Sequence, residues 1–237
     1  MGANMPNKIE TLCVALSFLA GALLFSLWPQ IDVAISAWFY VPGEGFAWGR
    51  HWLVEGIYWF VWGGSRIVVV SVPLLLGISF WMKRGWLVQR RRWLGFLALA
   101  IALGPGLIVD QALKNHWGRA RPEQNVMFGG DKQFTPALLP AQQCGRNCSF
   151  VSGHATAAFA LMSFGWLAGP ARRRRWMALA AVTGLAVGLV RIVQGGHYAS
   201  DVFFAFYAVW LGNFLAWAIL KALRKLPDKK LIPMRLR

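Results

Sequence analysis

Histidine and basic side chains recur in three short stretches of the sequence. These stretches are residues 114–122 (Lys-Asn-His-Trp-Gly-Arg-Ala-Arg-Pro), 152–154 (Ser-Gly-His) and 191–201 (Arg-Ile-Val-Gln-Gly-Gly-His-Tyr-Ala-Ser-Asp). Lys114, Arg121 and Arg191 supply three cations without a matching cluster of carboxylates. They therefore predict an anion site, and the planar guanidinium groups suit phosphate oxygens best.

Ser152 and Gly153 stand where the chain enters a further apolar run, so they predict the start of a helix. Backbone N–H groups point outward at a helix start, and glycine lets an anion approach the backbone closely. The transition state of phosphoryl transfer spreads negative charge over the phosphate oxygens, so positioned cations and amide donors stabilise it. The sequence therefore predicts that these two residues and the three cations surround one phosphoryl group.

Two histidines complete this set of groups. Asp201 follows His197 by one helical turn, where its carboxylate can hold one imidazole N–H and leave the other nitrogen free to attack phosphorus. His154 can protonate the departing oxygen and then activate the water that hydrolyses a phosphohistidine. Asp201 and Glu123 are too few carboxylates, in unsuitable spacing, for a two-metal site. We therefore expect no metal and no cofactor.

The composition of the chain places these residues in a membrane protein. Hydrophobic residues make up 57% of the 237 residues, charged residues only 14%, and the mean hydropathy is +0.46. A soluble domain contains about a quarter of charged residues, so this composition argues against a soluble globule and against disorder. Six apolar runs approach the ~20 residues that a bilayer requires, namely 11–28, 58–82, 93–113, 154–167, 176–193 and 202–220. We predict an all-α integral membrane protein with six transmembrane helices in a single domain, residues 1–237.

The first and fourth runs differ from the others. The fourth is short, which indicates that its helix starts below the membrane surface. The first could instead belong to a signal peptide, because residues 1–8 give a charged start and residues 12–27 an apolar stretch. No clean Ala-x-Ala cleavage site follows Trp28, and five further runs come after it, so a first transmembrane span is favoured.

Basic residues collect on one side of this six-span topology. They are Lys8, then Lys83, Arg84, Arg90, Arg91 and Arg92, then Arg172 to Arg175, then Lys221, Arg224, Lys225, Lys229, Lys230, Arg235 and Arg237. Positively charged loops remain in the cytoplasm, so we expect both termini there and the three stretches with candidate chemistry on the periplasmic side. The net charge of +16 is then a topology signal and does not call for a nucleic-acid partner. The basic C-terminal tail is also suited to contact anionic lipid.

Cys144 and Cys148 lie in the longest outer loop, residues 114–152. Their one-turn spacing and an oxidising compartment are compatible with a disulfide, and a pair of free thiols remains the alternative. Zinc is not expected, because no second Cys or His pair stands nearby at ligand spacing. Cys13 lies inside the first run and is interpreted as an apolar filler.

The pattern Lys-x6-Arg-Pro, Ser-Gly-His and Arg-x5-His-x3-Asp resembles the three-part signature of the type 2 phosphatidic acid phosphatase superfamily. This superfamily includes membrane lipid phosphatases and the soluble vanadium haloperoxidases, and the six-span layout is similar to its membrane branch. The resemblance implies that His197 is the nucleophile, Asp201 its orienting partner and His154 the general acid and base. It implies that the substrate phosphate is bound by Lys114, Arg121, Arg191, Ser152 and Gly153.

Two positions depart from the family pattern. Val151 stands where the family generally has Pro, and Val190 stands where it generally has Ser. These departures bear on loop geometry and on one hydrogen bond to phosphate, but not on the reaction class.

Other polar and aromatic residues near the motifs receive weaker interpretations. Arg119 and His116 are interpreted as outer-surface or headgroup contacts, and Asp110 as a helical ion-pair partner of Lys114. Arg66, inside the second run, either reaches the interface or pairs with a second anionic group of the substrate. An interfacial belt, in preference to an acyl-chain entry surface, is expected of Trp38, Phe39, Tyr40, Phe46, Trp48, Trp52, Trp59, Phe60 and Trp62.

The resemblance implies a metal-independent lipid phosphatase of a bacterial-type inner membrane. Its substrate is expected to be a lipid mono- or diphosphate, with lipid A and undecaprenyl diphosphate preferred over phosphatidylglycerol phosphate. The lipid bilayer is the other expected partner, and no obligatory protein partner is evident. Two alternatives remain open: a lipid-to-lipid phosphotransferase that uses the same site, and a non-catalytic lipid transporter or lipid-binding protein. A haloperoxidase is disfavoured by the six spans.

Overall fold

The computed structural model describes residues 6–225 of the chain, with side chains up to Leu223. Regular structure in this range is helical and contains no β-strand beyond isolated bridges such as Val41 with Gly45. The predicted all-α fold is therefore confirmed. The ends of the predicted domain lie outside the described residues, and so do Lys229, Lys230, Arg235 and Arg237 of the predicted basic tail.

The helices follow one another as α1 (Lys8–Leu27), α2 (Gln30–Ala37), α3 (Trp52–Trp81), α4 (Trp86–Ile101), a π-helical segment (Ala102–Leu113), α5 (Lys114–His116), α6 (Gly153–Phe159), α7 (Met162–Leu167), α8 (Pro170–Val193) and α9 (Ala199–Lys225). Within residues 6–225, five stretches are long and apolar enough to cross a membrane: α1, α3, α4 continued through α5, α8 and α9. Many of their large apolar side chains are exposed, which is expected of surfaces that face lipid.

Local signals explain where several spans begin. Asn7 caps α1, since its side chain accepts a 2.7 Å hydrogen bond from the backbone N–H of Glu10. α8 begins at Pro170, six residues before the predicted apolar run, because proline is favoured in the first turn of a helix. Residues 172–175 therefore lie within the first turns of α8 and not in a loop.

The predicted fourth span, residues 154–167, is divided into the short helices α6 and α7. Backbone hydrogen bonds at the junction tighten to the i→i+3 pattern, with Leu161 bonded to Ala158 at 3.2 Å and Ser163 to Ala160 at 3.0 Å. Neither helix alone is long enough to span a bilayer. The predicted count of six spans is therefore not confirmed and stays a prediction.

α6 and α7 nevertheless connect the two ends of the helical bundle. At one end, the N–H of Ser152 donates to the backbone carbonyl of Asp201 at the start of α9 (3.1 Å). At the other end, an ideal Cβ on Gly165 would lie 3.4 Å from the carbonyl oxygen of Arg173 in α8. Arg173 also forms a 2.6 Å ion pair with Glu10 in the first turn of α1. The starts of α1 and α8 thus share the end of the bundle opposite to Ser152.

Close helix packing fixes the position of the π-helical segment before Lys114. An ideal Cβ on Gly212 of α9 would lie 2.4 Å from the Cα of Gly104, so this approach requires glycine. π-Helical turns are rare in proteins, and those that occur within α-helices are often found at functional sites. Here the segment packs on α9, which carries Asp201 in its first turn, and leads directly into Lys114. The Gly104 contact therefore helps to set the distance between two of the predicted site residues.

Candidate active site

The first and second motifs lie against each other. The buried Nζ of Lys114 donates to the carbonyl oxygen of Cys148 (3.2 Å), and the N–H of Cys148 donates to the carbonyl oxygen of Lys114 (2.9 Å). An ideal Cβ on Gly153 would lie 4.0 Å from the same Nζ atom. The structure thus brings the ammonium group of the first motif beside the glycine of the second.

The first and third motifs are also linked through their backbones. The N–H of Glu123 donates to the carbonyl oxygen of Gly195 (3.0 Å). Arg121, two residues earlier and partly exposed, donates from Nη2 to the carbonyl oxygen of Asn147 (3.1 Å). Its guanidinium group therefore stays accessible at the surface of the site.

Ser152 anchors the second motif more than the sequence predicts. Its N–H donates to the carbonyl of Asp201, and its hydroxyl oxygen accepts a 3.4 Å hydrogen bond from the N–H of Ala155 at the start of α6. The expectation that its backbone N–H points outward to an anion is therefore wrong. The reason is that residues 149–152 pack directly on the start of α9, through Ser152 and through a 2.5 Å hydrogen bond from Ser149 Oγ to Asp201 Oδ2.

Arg191 lies near the end of α8 and is buried. Its guanidinium carbon is 4.8 Å from the centre of the Tyr58 ring, and Nη1 donates to the side chain of Gln194. An ideal Cβ on Gly196 would lie 2.2 Å from Arg191 Nη2. Glycine at this position therefore lets the guanidinium group lie directly against the backbone of the third motif.

His197 and Asp201 are buried together, and the charges of Lys114 and Arg191 act on the imidazole. His197 Nδ1 is 3.6 Å from Asp201 Oδ2, which is ion-pair range but longer than a hydrogen bond. The same oxygen accepts a 2.9 Å hydrogen bond from the N–H of Tyr198. Burial lowers the pKa of His197 to about 3, although the carboxylate of Asp201 acts in the opposite direction. The imidazole is therefore neutral at neutral pH, which is the form that can act as a nucleophile.

Arg119 forms the most buried ion pairs of the site. The residue is 0% exposed, and its guanidinium group bridges two carboxylates: Nη1 to Asp201 Oδ1 at 2.6 Å and Nη2 to Asp32 Oδ2 at 2.8 Å. Asp32 lies in α2 and also accepts a 2.9 Å hydrogen bond from the N–H of Ser200. The interpretation of Arg119 as a surface contact is therefore wrong. Its partner is 87 positions away in the sequence, so local spacing could not identify it.

Tyr58 is a second residue that sequence reasoning did not single out. Its ring stacks on the imidazole of His154, with centroids 4.4 Å apart and planes 22° apart, and it also faces Arg191. In the sequence Tyr58 is one aromatic residue among many at the start of the second apolar run. No periodicity or motif distinguishes it from its neighbours.

Arg66 and most of the aromatic residues of the first outer loop and the first turns of α3 are exposed, and a few pack in a ring cluster. Arg66 stacks on Trp62 of its own helix at 3.4 Å and donates to the Trp62 carbonyl oxygen, which favours a reach toward the interface. Tyr40 and Phe46 pack in a ring cluster with Phe128. Large exposed fractions, as expected of an interfacial belt, are found for Trp38, Trp48, Trp52, Trp59 and Phe60.

The outer loop is closed by a disulfide between Cys144 and Cys148, with the Cα atoms 5.7 Å apart. This small loop contains Asn147 and ends at Cys148, and it therefore supplies carbonyl oxygens to both Arg121 and Lys114. Cys13 is a free thiol on the exposed side of α1. Across residues 6–225 the structure contains no group of three or more His, Cys, Asp or Glu side chains that could hold a metal ion. Metal independence stays a prediction.

Fold and site together define the class of this protein: a helical membrane protein that gathers two histidines and three cations suited to phosphoryl chemistry. The sequence profile of the PAP2 superfamily matches residues 93–226, more than half of the chain. The chain therefore belongs to the PAP2 superfamily. This confirms the resemblance inferred from the three motifs and the prediction of a membrane phosphatase class.

Individual relatives agree with this family. The chain is 32% identical over 201 residues to a lipid A 4'-phosphatase of Francisella tularensis subsp. novicida, covering 84% of this chain and 90% of the relative. It is 37% identical over 124 residues to a lipid A 4'-phosphatase of Rhizobium etli, covering 52% of this chain and 47% of the relative.

A solved structure has a similar fold. It is the crystal structure of a transmembrane PAP2 type phosphatidylglycerolphosphate phosphatase from Bacillus subtilis. The TM-score is 0.51 at 19% sequence identity, and the match covers 90% of this chain and 98% of the other.

We predict that Arg119→Met strongly lowers the thermal stability of the protein. The substitution leaves the buried carboxylates of Asp32 and Asp201 without their shared cation, and breaking a buried ion pair from one side costs about 3–5 kcal/mol. The apparent Tm in detergent measures the effect. Arg50→Met is the matched control, because Arg50 is exposed and donates to the carbonyl oxygen of Glu44. Equal Tm values for the two variants would contradict the bridging role.

Proposed function

We propose that this protein is a metal-independent lipid phosphatase that hydrolyses a terminal phosphate from a lipid mono- or diphosphate through a phosphohistidine. The observation that carries the proposal is the convergence of three cations and two histidines at the ends of membrane-length helices. Lys114, Arg191 and Asp201 each lie within the last or first turns of such a helix. A phosphate on a lipid headgroup reaches this level of the membrane, whereas the rest of the lipid stays in the bilayer.

We favour a phosphate of lipid A as the substrate. The two relatives above are named lipid A 4'-phosphatases, and one of them aligns with most of this chain. Undecaprenyl diphosphate and phosphatidylglycerol phosphate remain candidates of the same chemical class, since each presents a terminal phosphate on a lipid.

The first chemical step transfers the phosphoryl group to His197. The guanidinium groups of Arg121 and Arg191 and the ammonium group of Lys114 hold the phosphate oxygens and stabilise the charge of the transition state. Neutral His197 attacks phosphorus through Nε2 while Asp201 orients Nδ1 and stabilises the positive charge that develops on the ring. The bond from phosphorus to the lipid oxygen breaks, and His154 protonates that oxygen.

The second step releases inorganic phosphate. His154, now neutral, removes a proton from a water molecule as its oxygen attacks the phosphohistidine. The bond from phosphorus to Nε2 breaks, and the electron pair returns to the imidazole of His197. Both histidines then regain their starting protonation, and the lipid alcohol and phosphate leave.

The same arrangement supports one orientation in the membrane. The starts of α1 and α8 lie at the end of the bundle opposite to Ser152, and the basic residues 172–175 belong to that end. Positive charge favours the cytoplasm for this end. We propose that α6 and α7 form a broken sixth crossing, with both termini in the cytoplasm and the site at the periplasmic face of a bacterial inner membrane.

We predict that the purified protein releases inorganic phosphate from lipid A in detergent with EDTA present, and that His197→Ala abolishes this release. Undecaprenyl diphosphate and phosphatidylglycerol phosphate are tested as further members of this lipid panel. Lys132→Ala is the matched control, because Lys132 pairs with its exposed neighbour Asp131. Phosphate that appears only on a second lipid would assign a phosphotransferase, and unchanged release by His197→Ala would remove the proposed nucleophile.

We predict that vanadate inhibits the enzyme with nearly the same affinity at pH 7 and at pH 5. The low pKa of His197 keeps the ring unprotonated across this range, so the nitrogen that binds vanadium stays available. An ordinary histidine pKa near 6.5 would instead weaken binding roughly 30-fold at pH 5. The inhibition constant of vanadate, measured at pH 7 and at pH 5, tests this prediction. A tenfold or larger loss of affinity at pH 5 would contradict the neutral ring.

We predict that a membrane-impermeant maleimide labels the outer loop of intact spheroplasts only after reduction. The Cys13→Ser background leaves the two loop cysteines as the available thiols. Two labels after mild reduction, and none before it, support both the disulfide and the periplasmic side. Labelling without reductant would exclude the disulfide, and labelling only after the cells are opened would exclude the orientation.

A further inference from the structure

The two histidines of the site are held in different ways. His197 faces the carboxylate of Asp201 at 3.6 Å, whereas His154 has no carboxylate or other hydrogen-bonding partner within the described part of the chain. Its Nε2 atom is buried and unpaired there. A general acid needs a fixed ring direction, because proton transfer requires hydrogen-bond geometry to the oxygen that receives the proton. Some other contact must therefore orient this imidazole.

Tyr58 makes that contact. Its ring lies parallel to the His154 imidazole within 22°, at a centroid distance of 4.4 Å. Aromatic rings at this distance attract each other, and the face of a phenol ring also stabilises a positively charged imidazolium. The Arg191 guanidinium carbon lies 4.8 Å from the same ring. One side chain of α3 therefore touches both the proposed general acid and a phosphate-binding cation.

The rest of this part of α3 faces away from the site. Trp59 and Phe60 are exposed, the latter by 80%, and Ile57 is exposed as well. Tyr58 is half-buried between them. The helix thus reaches the site through a single aromatic side chain in this turn, and Phe60 provides a control position with an exposed aromatic ring.

We propose that Tyr58 is a positioning residue, whose ring holds the imidazole of His154 in the direction required to protonate the leaving oxygen of the lipid. This inference rests on the proposed function, because it assigns a role within the same reaction. The aromatic face, and not the phenol hydroxyl, carries the effect, since the observed contacts are made by the ring.

A positioning role for Tyr58 predicts a kinetic effect that a purely structural role does not. A lipid alkoxide is a poor leaving group, so breaking its bond to phosphorus requires a proton from His154. A nitrophenolate is a good leaving group and departs without that proton. Loss of ring positioning should therefore slow the hydrolysis of an alkyl phosphate and spare that of a nitrophenyl phosphate. Loss of folded protein or of phosphate binding should slow the hydrolysis of both.

The experiment compares kcat/KM for two substrates that have the same chain length, dodecyl phosphate and 4-dodecyl-2-nitrophenyl phosphate. General acid catalysis contributes about 10²–10⁴-fold, so we expect Tyr58→Leu to lose roughly tenfold or more on the alkyl phosphate and less than about threefold on the aryl phosphate. Tyr58→Phe should restore most of the activity that Tyr58→Leu loses. His154→Ala should show the same selective loss.

Phe60→Leu is the matched control, because it also replaces an aromatic ring by leucine, two residues away on the exposed side of α3. An equal loss on both substrates for Tyr58→Leu, or no loss on either, would overturn the positioning role. A Tyr58→Phe variant as slow as Tyr58→Leu would also overturn it, because the hydroxyl would then carry the effect. If wild-type protein releases phosphate from neither substrate nor from the lipid panel, the proposed function fails first, and the role of Tyr58 fails with it.

Discussion

The arrangement of the site depends on the two ion pairs that the buried guanidinium group of Arg119 forms. This group joins α2 through Asp32 and α9 through Asp201, and it comes from the loop that follows Lys114. A charge without water is costly unless it is paired, so none of these three side chains can move away alone. Asp201 is thereby fixed beside His197. Because Arg119 has a second carboxylate to neutralise it, Asp201 keeps negative charge that can act on the imidazole.

Backbone contacts complete what this ion pair begins. Ser152 donates to the start of α9, Cys148 exchanges hydrogen bonds with Lys114, and Glu123 donates to Gly195. Each contact joins segments that contain or directly adjoin different motifs, so the three stretches behave as one unit although Arg119 and Asp201 are 82 positions apart along the chain. Gly104 and Gly212 also allow the π-helical segment and α9 to pack closely against each other. Cations that would repel each other are in this way held in place before a phosphate arrives.

Local patterns in the sequence predict the helical class, the approximate positions of five spans and the groups that could perform the chemistry. Hydrophobic length and fixed motif spacing are local properties, which explains this success. Three features depend on contacts between distant residues: the bridge from Arg119 to Asp32, the stacking of Tyr58 on His154 and the use of the Ser152 N–H by α9. The division of residues 153–167 into two helices depends on packing against α8 in the same way.

Two ion pairs attach the N-terminal segment to the rest of the helical bundle. Glu10 at the start of α1 pairs with Arg173, and Asp32 in α2 pairs with Arg119, so this segment is attached at both ends of the bundle. The family profile, by contrast, begins at residue 93. A truncated version cut at that boundary would retain every motif residue but would remove one carboxylate partner, Asp32 or Glu10, from each of two buried arginines. The smallest stably folded unit therefore extends upstream of the region that the family profile matches.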